Sequence, residues 1–210
     1  MLTFPRVYPI LDTEFMALRN LPVAEAAEGL IEGGARILQF RHKGFFSRDT
    51  YRDAALVAGL CRGAGTRFVI NDRADIALLL SAGLHLGQDD LPAAEARKLS
   101  VSSLLGVSTH NEAQLLAAEA EPCDYVALGP IFCTSSKVNP DPIVGLRELA
   151  RLRCRTLRPL IAIGGITLDN AADVWRATDS VAIIGDLYPG GATRQSIRSR
   201  MEDWVRVANE

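Results

Sequence analysis

The chain has 210 residues, 48% of them hydrophobic and 23% charged, with a formal net charge of -2. That apolar fraction fills a substantial core and excludes a disordered chain, while the near-neutral balance excludes a long-range field for nucleic acid or an acidic membrane surface. Any anion site must be built from a few local cations.

Cys61, Cys123, Cys133 and Cys154 are widely spaced and form no C-x-x-C pair, which argues against a zinc site and fits reduced thiols. The opening MLTFPRVYPILD lacks a basic region followed by a long apolar segment, and no later run is long enough to span a bilayer, so a cytoplasmic location is the expectation. The length is ordinary for one α/β barrel, and residues 1–210 are expected to form a single domain.

From Val7 onward, short β-branched or apolar runs alternate with longer segments of helical spacing. The pattern predicts strands at Val7 to Leu11, Ile37 to Phe40, Phe68 to Ile70, Gly83 to Leu86, Leu104 to Val107, Tyr125 to Leu128, Leu160 to Ile163 and Val181 to Ile184. Helices are expected near Val23 to Glu32, Asp49 to Arg62, Asp75 to Leu80, Ala93 to Lys98, Glu112 to Glu119, Leu146 to Leu152, Asn170 to Arg176 and Arg194 to Val207. Strict β/α alternation requires parallel strands with right-handed crossovers, and eight units close into a (β/α)8 TIM barrel. The competing open, doubly wound sheet would carry a glycine-rich turn after its first strand, where this chain has Asp12-Thr13-Glu14.

In a barrel the functional face is formed by the carboxyl ends of the strands. The second strand delivers Gln39, Arg41 and Lys43, alternate residues of one extended segment. The third delivers Asn71 and Asp72, the fourth Gln88 and Asp90, and the fifth Ser108 and His110. The sixth leads into the longest loop, Gly129 to Gly145, with Thr134, Ser135, Ser136 and Lys137. The seventh and eighth end in Gly164-Gly165 and Gly185.

Taken singly, these residues have ordinary readings. Asn71-Asp72 and Asp90 precede helices and could be N-caps, Arg41 and Lys43 could be solvated, and Thr134 to Lys137 could be a plain polar loop. Taken together, two carboxylates at adjacent strand ends facing Arg41, Lys43 and Lys137 favour Mg²⁺, which takes one or two protein carboxylates and fills its shell with water and phosphate oxygens. Gln39 adds an amide that needs partners inside an otherwise buried run. The bare amides at Gly164-Gly165 and Gly185, in the loops where this fold recurrently holds phosphate, suit an anion. His85 reads as a structural core histidine, and His110 as a cap-region residue or one that supports the site from behind. Neither shows the partners of a nucleophilic triad.

The motifs YPILD, LQFRHK, INDRADIAL, GLHLGQDDLP, GVSTHN, DYVALGPIFCTSSK and IAIGGIT follow one another along nearly the whole chain. In that order they resemble the thiamine-phosphate synthase family, which also includes the thiazole tautomerase TenI. The resemblance implies a Mg²⁺-dependent transferase that joins hydroxymethylpyrimidine diphosphate to a thiazole phosphate, giving thiamine phosphate and pyrophosphate. It implies that Gln39, Arg41, Lys43, Asn71, Ser108 and Lys137 hold the pyrimidine diphosphate, with Arg41, Lys43, Ser108 and Lys137 catalytic. Asp72 and Asp90 would bind Mg²⁺, and Thr134, Ser136, Gly165, Ile184 and Gly185 would hold the thiazole phosphate. The chain departs from the family pattern at Cys133, usually proline, at Ser136, usually threonine, and at Gly185, usually serine. A tautomerase and a non-catalytic binder of thiamine intermediates are the alternatives. Small-molecule substrates are the implied partners, and apolar helix faces leave a homodimer open.

Overall fold

Eight parallel strands pair in chain order and close on themselves in the structure, a computed structural model that describes residues 4–99, 104–134 and 141–209. They are β1 (Val7–Asp12), β2 (Ile37–Arg41), β3 (Arg67–Asn71), β4 (Gly83–Leu86), β5 (Leu105–Thr109), β6 (Tyr125–Leu128), β7 (Leu160–Ile163) and β8 (Ser180–Ile183). Val7 opposite Val181 completes the ring. The helices are α1 (Thr13–Ala17), α2 (Val23–Glu32), α3 (Arg48–Ala64), α4 (Ala74–Leu79), α5 (Ala93–Lys98), α6 (Glu112–Glu119), α7 (Gly145–Arg153), α8 (Leu168–Trp175) and α9 (Arg194–Ala208). Every expected strand and helix is present within about two residues of its expected bounds.

Two short elements are absent from the sequence pattern: α1 and a single 3-10 turn at Gly185–Leu187. Neither is long enough to show a period. α1 exists because the Asp12 carboxylate accepts from Phe15 N (2.9 Å), satisfying one of the donors that a helix start leaves open.

Strand alternation divides the buried side chains into two cores. One set, including Leu11, Leu38, Phe40, Ile70, Leu84, Val107, Leu128 and Val181, packs outward against the helices. The other lies inside the barrel: Tyr8 and Ile10 of β1, Ile37, Val69, Tyr125, Ala127, Ile161 and Ala182, together with Phe4. Phe4, Tyr8 and Tyr125 meet with ring centroids 4.9 to 6.0 Å apart. Toward the carboxyl ends the interior turns polar, with Asp12, Gln39, Asn71 and His85 all buried. Such groups must find partners or bind something, which makes this end of the barrel the place to look for function.

Candidate functional site

The junction of β3 and β4 brings the two expected carboxylates together. Asp72 follows β3 with φ 64°, a left-handed conformation that side chains other than glycine seldom adopt, although aspartate tolerates it better than most. Two backbone bonds hold it there: Asp72 N donates to His85 O (2.8 Å) and Arg73 N to Asn71 O (2.8 Å). Its side chain receives Lys43 Nζ at 2.6 Å and touches the Asp90 carboxyl, whose own Oδ2 accepts from Gly87 N at 2.7 Å. The capping alternative fails for both acids, because the caps of α4 and α5 are Arg73 and Pro92 and neither helix start has a side-chain cap bond.

Burial pushes the Asp72 carboxyl up to about 6, and contact with Asp90 adds to the rise while Lys43 opposes it. The pair is short of positive charge. Two of the four buried side-chain atoms without a partner among the described residues lie here: Asn71 Nδ2, a donor lacking an acceptor, and Asp72 Oδ1, an acceptor lacking a donor. A cation beside the acids and an anionic oxygen beside Asn71 would satisfy both. Among the described residues no group of three or more His, Cys, Asp or Glu side chains converges, so a metal at this pair would draw its remaining oxygens from water and ligand.

Arg41 departs from expectation. It is on the rim, yet its partner is Asp12 of β1, its register neighbour across the β1–β2 pair, and not either acid of the pair. Asp12 is buried and divides its oxygens between Arg41 and the start of α1. A carboxylate at the end of the first strand and a cation at the end of the second are visible in the sequence, but their pairing is set by register. Asp12→Asn keeps the helix cap and removes the counter-charge. The expected outcome is a ten- to hundredfold weaker hold on inorganic pyrophosphate, the scale of one hydrogen bond to a charged group, with Tm nearly unchanged, checked by calorimetric titration and thermal melts.

Gln39 and Ser108, expected on one ligand, are joined through the barrel interior. Gln39 Nε2 donates to Tyr8 Oη (3.0 Å), Tyr8 and Tyr125 hydroxyls are 3.0 Å apart, Tyr125 Oη lies 2.8 Å from His85 Nδ1, and His85 Nε2 lies 2.8 Å from Ser108 Oγ. Burial pushes His85 down to about 4 and holds both phenols above their ordinary range. The His85 to Ser108 contact was not legible in the sequence. It makes no hydrolytic triad, since the third group is a phenol.

On the opposite side of the mouth, the segment after Gly129 runs on beside β7, with Ile131 N bonded to Ile163 O (2.9 Å) and Phe132 N to Gly164 O (3.0 Å). This packs Cys133 against Gly165, where an added Cβ would lie 2.4 Å from Cys133 O, and Gly165 has φ 65°. Thr134 ends the described part of this loop, half-buried. Ser135, Ser136 and Lys137 lie outside the described residues. Gly185 opens the 3-10 turn after Ile184, and a Cβ there would meet only Phe15 Cζ at 3.8 Å. The turn is pinned from behind: Asp186 accepts from Arg200 Nη2 (2.7 Å) and Trp204 Nε1 (2.8 Å). His110 lies in the cap region of α6, just before the cap Asn111, with its N donating to Gln114 Oε1 (2.7 Å), and its Nδ1 lies 2.7 Å from Gly129 O and ties β5 to the loop after β6.

The chain is thus a (β/α)8-barrel protein that gathers acids, cations and an unsatisfied amide on one rim. The model of the thiamine monophosphate synthase family matches residues 7–187, and the chain belongs to that family. A thiamine-phosphate synthase from Koribacter versatilis (strain Ellin345) is 41% identical over 200 residues, covering 93% of this chain and 94% of that protein. One from Chloroflexus aurantiacus is 41% identical over 182 residues, covering 85% and 83%. The solved thiamine phosphate pyrophosphorylase from Pyrococcus furiosus superposes with TM-score 0.84 at 28% identity, covering 97% of this chain and 95% of that one.

Proposed function

We propose that the protein is a thiamine-phosphate synthase, a transferase condensing hydroxymethylpyrimidine diphosphate with a thiazole phosphate and releasing pyrophosphate, with the whole chain acting as one barrel domain. The observation that carries the reading is the Asp72–Asp90 pair beside Lys43, with Asp72 Oδ1 and Asn71 Nδ2 buried and unmatched. Departure of pyrophosphate from a benzyl-like carbon needs no protein nucleophile. It needs the leaving charge neutralised, and here Arg41, Lys43 and Lys137 serve the diphosphate while Asn71 donates to one of its oxygens. Asp72 and Asp90 would hold Mg²⁺, which when bound supplies further positive charge to the diphosphate.

Gln39 and Ser108 hold the pyrimidine. Thr134, Ser136, Gly165, Ile184 and Gly185 hold the thiazole phosphate so that its ring nitrogen faces the reacting carbon. Such positioning contributes up to ~7–11 kcal/mol in favourable cases. Among the described residues no helix is long and apolar enough to cross a membrane, in keeping with small diffusible substrates.

The acid pair sets a pH dependence. A carboxyl whose folded value lies above its ordinary 3.8 keeps its proton up to about 6, and that proton competes with the cation. Calorimetric titration with Mg²⁺ alone should therefore give an affinity that is level above pH 7 and drops about tenfold per pH unit below pH 6. An affinity independent of pH between 5 and 7 would remove Asp72 from the metal site.

A further inference from the structure

Tyr125 belongs to β6, yet its hydroxyl reaches His85 of β4, two strands away. It can do so because the intervening β5 residue, in register with both, is Gly106. A Cβ at Gly106 would lie 2.0 Å from Tyr125 Cζ and 2.4 Å from its Oη, in collision with the phenol. The phenol therefore lies across β5 and stacks on the imidazole, ring centroids 5.5 Å apart and planes 27° from parallel. Glycine at 106 is a requirement of this bridge.

The bridge has a direction. With Gln39 Nε2 donating to Tyr8, the sense in which every hydroxyl both accepts and donates sends the Tyr8 proton to Tyr125. In that same sense Tyr125 gives its proton to His85 Nδ1, 2.8 Å away. An Nδ1 that accepts leaves the ring hydrogen on Nε2, which donates to Ser108 Oγ. Ser108 is half-buried and receives from His85, so its own hydrogen is left to donate outward. At the other end one N–H of the Gln39 amide goes to Tyr8, and its oxygen has no bonded donor among the described residues.

We propose that Tyr125 is a positioning residue: with Tyr8 and His85 it orders the hydrogen bonds between Gln39 and Ser108 in one sense, so that Ser108 presents O–H and Gln39 presents an amide oxygen to the pyrimidine. The ring edge selected is an acceptor nitrogen flanked by an N–H donor, as in an amino-substituted pyrimidine. A pyrimidine carrying a carbonyl at that place puts an acceptor against an acceptor and is rejected. The inference rests on the synthase reading for the identity of the ligand, but the order of the bonds is a property of the protein alone.

The test uses ¹⁵N-histidine-labelled full-length protein. Its three histidines, His42, His85 and His110, give few signals, and the one missing in His85→Asn identifies the site. His85 is expected as the Nε2–H tautomer in the ligand-free protein, and the Nδ1–H tautomer would overturn the proposal. Tyr125→Phe, with its fold checked by circular dichroism, is expected to release that tautomer preference. It should also lower kcat/KM for the pyrimidine diphosphate about tenfold, leaving KM for the thiazole phosphate within about twofold. An unchanged tautomer together with unchanged kinetics would equally overturn it. Absence of thiamine phosphate with the wild-type protein would sink the synthase reading, whereas full turnover with the wrong tautomer sinks only the ordering of the bonds.

Discussion

Asp72→Asn should make the protein more stable and almost inactive. A neutral amide of the same shape accepts the left-handed backbone at this position readily, ends the contact between two acids, and leaves a Lys43 that is largely solvated. The native carboxyl has its folded value raised above the unfolded one, so it binds its proton more tightly in the folded chain. That contribution is complete below about pH 3.8 and is lost as pH rises through about 6. Urea denaturation should accordingly show the variant roughly 1–2 kcal/mol more stable at pH 7.5 and level with wild type at pH 3.8. The scale is ~1.4 kcal/mol for each tenfold change in proton affinity, reduced by the solvent that screens a partly open carboxyl. Removing a cation ligand should meanwhile lower kcat on the order of 10²–10³-fold. Opposite signs for stability and activity mark a site whose strain serves a ligand. A tautomerase working on the thiazole phosphate has no diphosphate to neutralise, and in that case the variant would keep most of its activity.

The second large effect is a contrast between glycines in the thiazole half. Gly165→Ala places a methyl 2.4 Å from Cys133 O and 2.8 Å from Phe132 Cβ, on a residue with φ 65°. Relief requires moving the segment from Pro130 to Thr134 off β7, which breaks the Ile131 and Phe132 backbone bonds. A loss of roughly 3 kcal/mol follows from overpacking and backbone strain combined, with KM for the thiazole phosphate raised at least tenfold. Gly185→Ser adds a Cβ that meets nothing closer than Phe15 Cζ at 3.8 Å. It should change stability by less than about 0.5 kcal/mol and lower KM for the thiazole phosphate about fivefold, the worth of one added hydrogen bond. Equal effects of the two substitutions, read by chemical denaturation and initial rates, would mean that phosphate does not bind between these loops.

What could be read in the chain beforehand divides along physical lines. Strands such as Tyr125–Leu128 and Leu160–Ile163 announce themselves because strands of a barrel are buried on both faces and become unbroken apolar runs. The convergence of Asp72, Asp90 and Lys43 followed from topology alone, since parallel strands in chain order must deliver their carboxyl ends to one face. Partner choice did not follow. Arg41 could be placed on the rim, but its pairing with Asp12 depends on the register of β1 against β2, which no local pattern encodes. The reach of Tyr125 over Gly106 depends on a missing side chain in the strand between, a fact about shape that periodicity does not carry. The 3-10 turn at Gly185–Leu187 is held by Asp186 against α9, a tertiary contact that overrides weak local preference.

Pyrophosphate release, followed alongside thiamine phosphate formation with both substrates present in Mg²⁺ and then in EDTA, tests the central claim most directly. The account predicts equimolar release of the two products in Mg²⁺ and its collapse in EDTA. Thiamine phosphate formed equally well in both media, or folded protein that forms none in either, would contradict it.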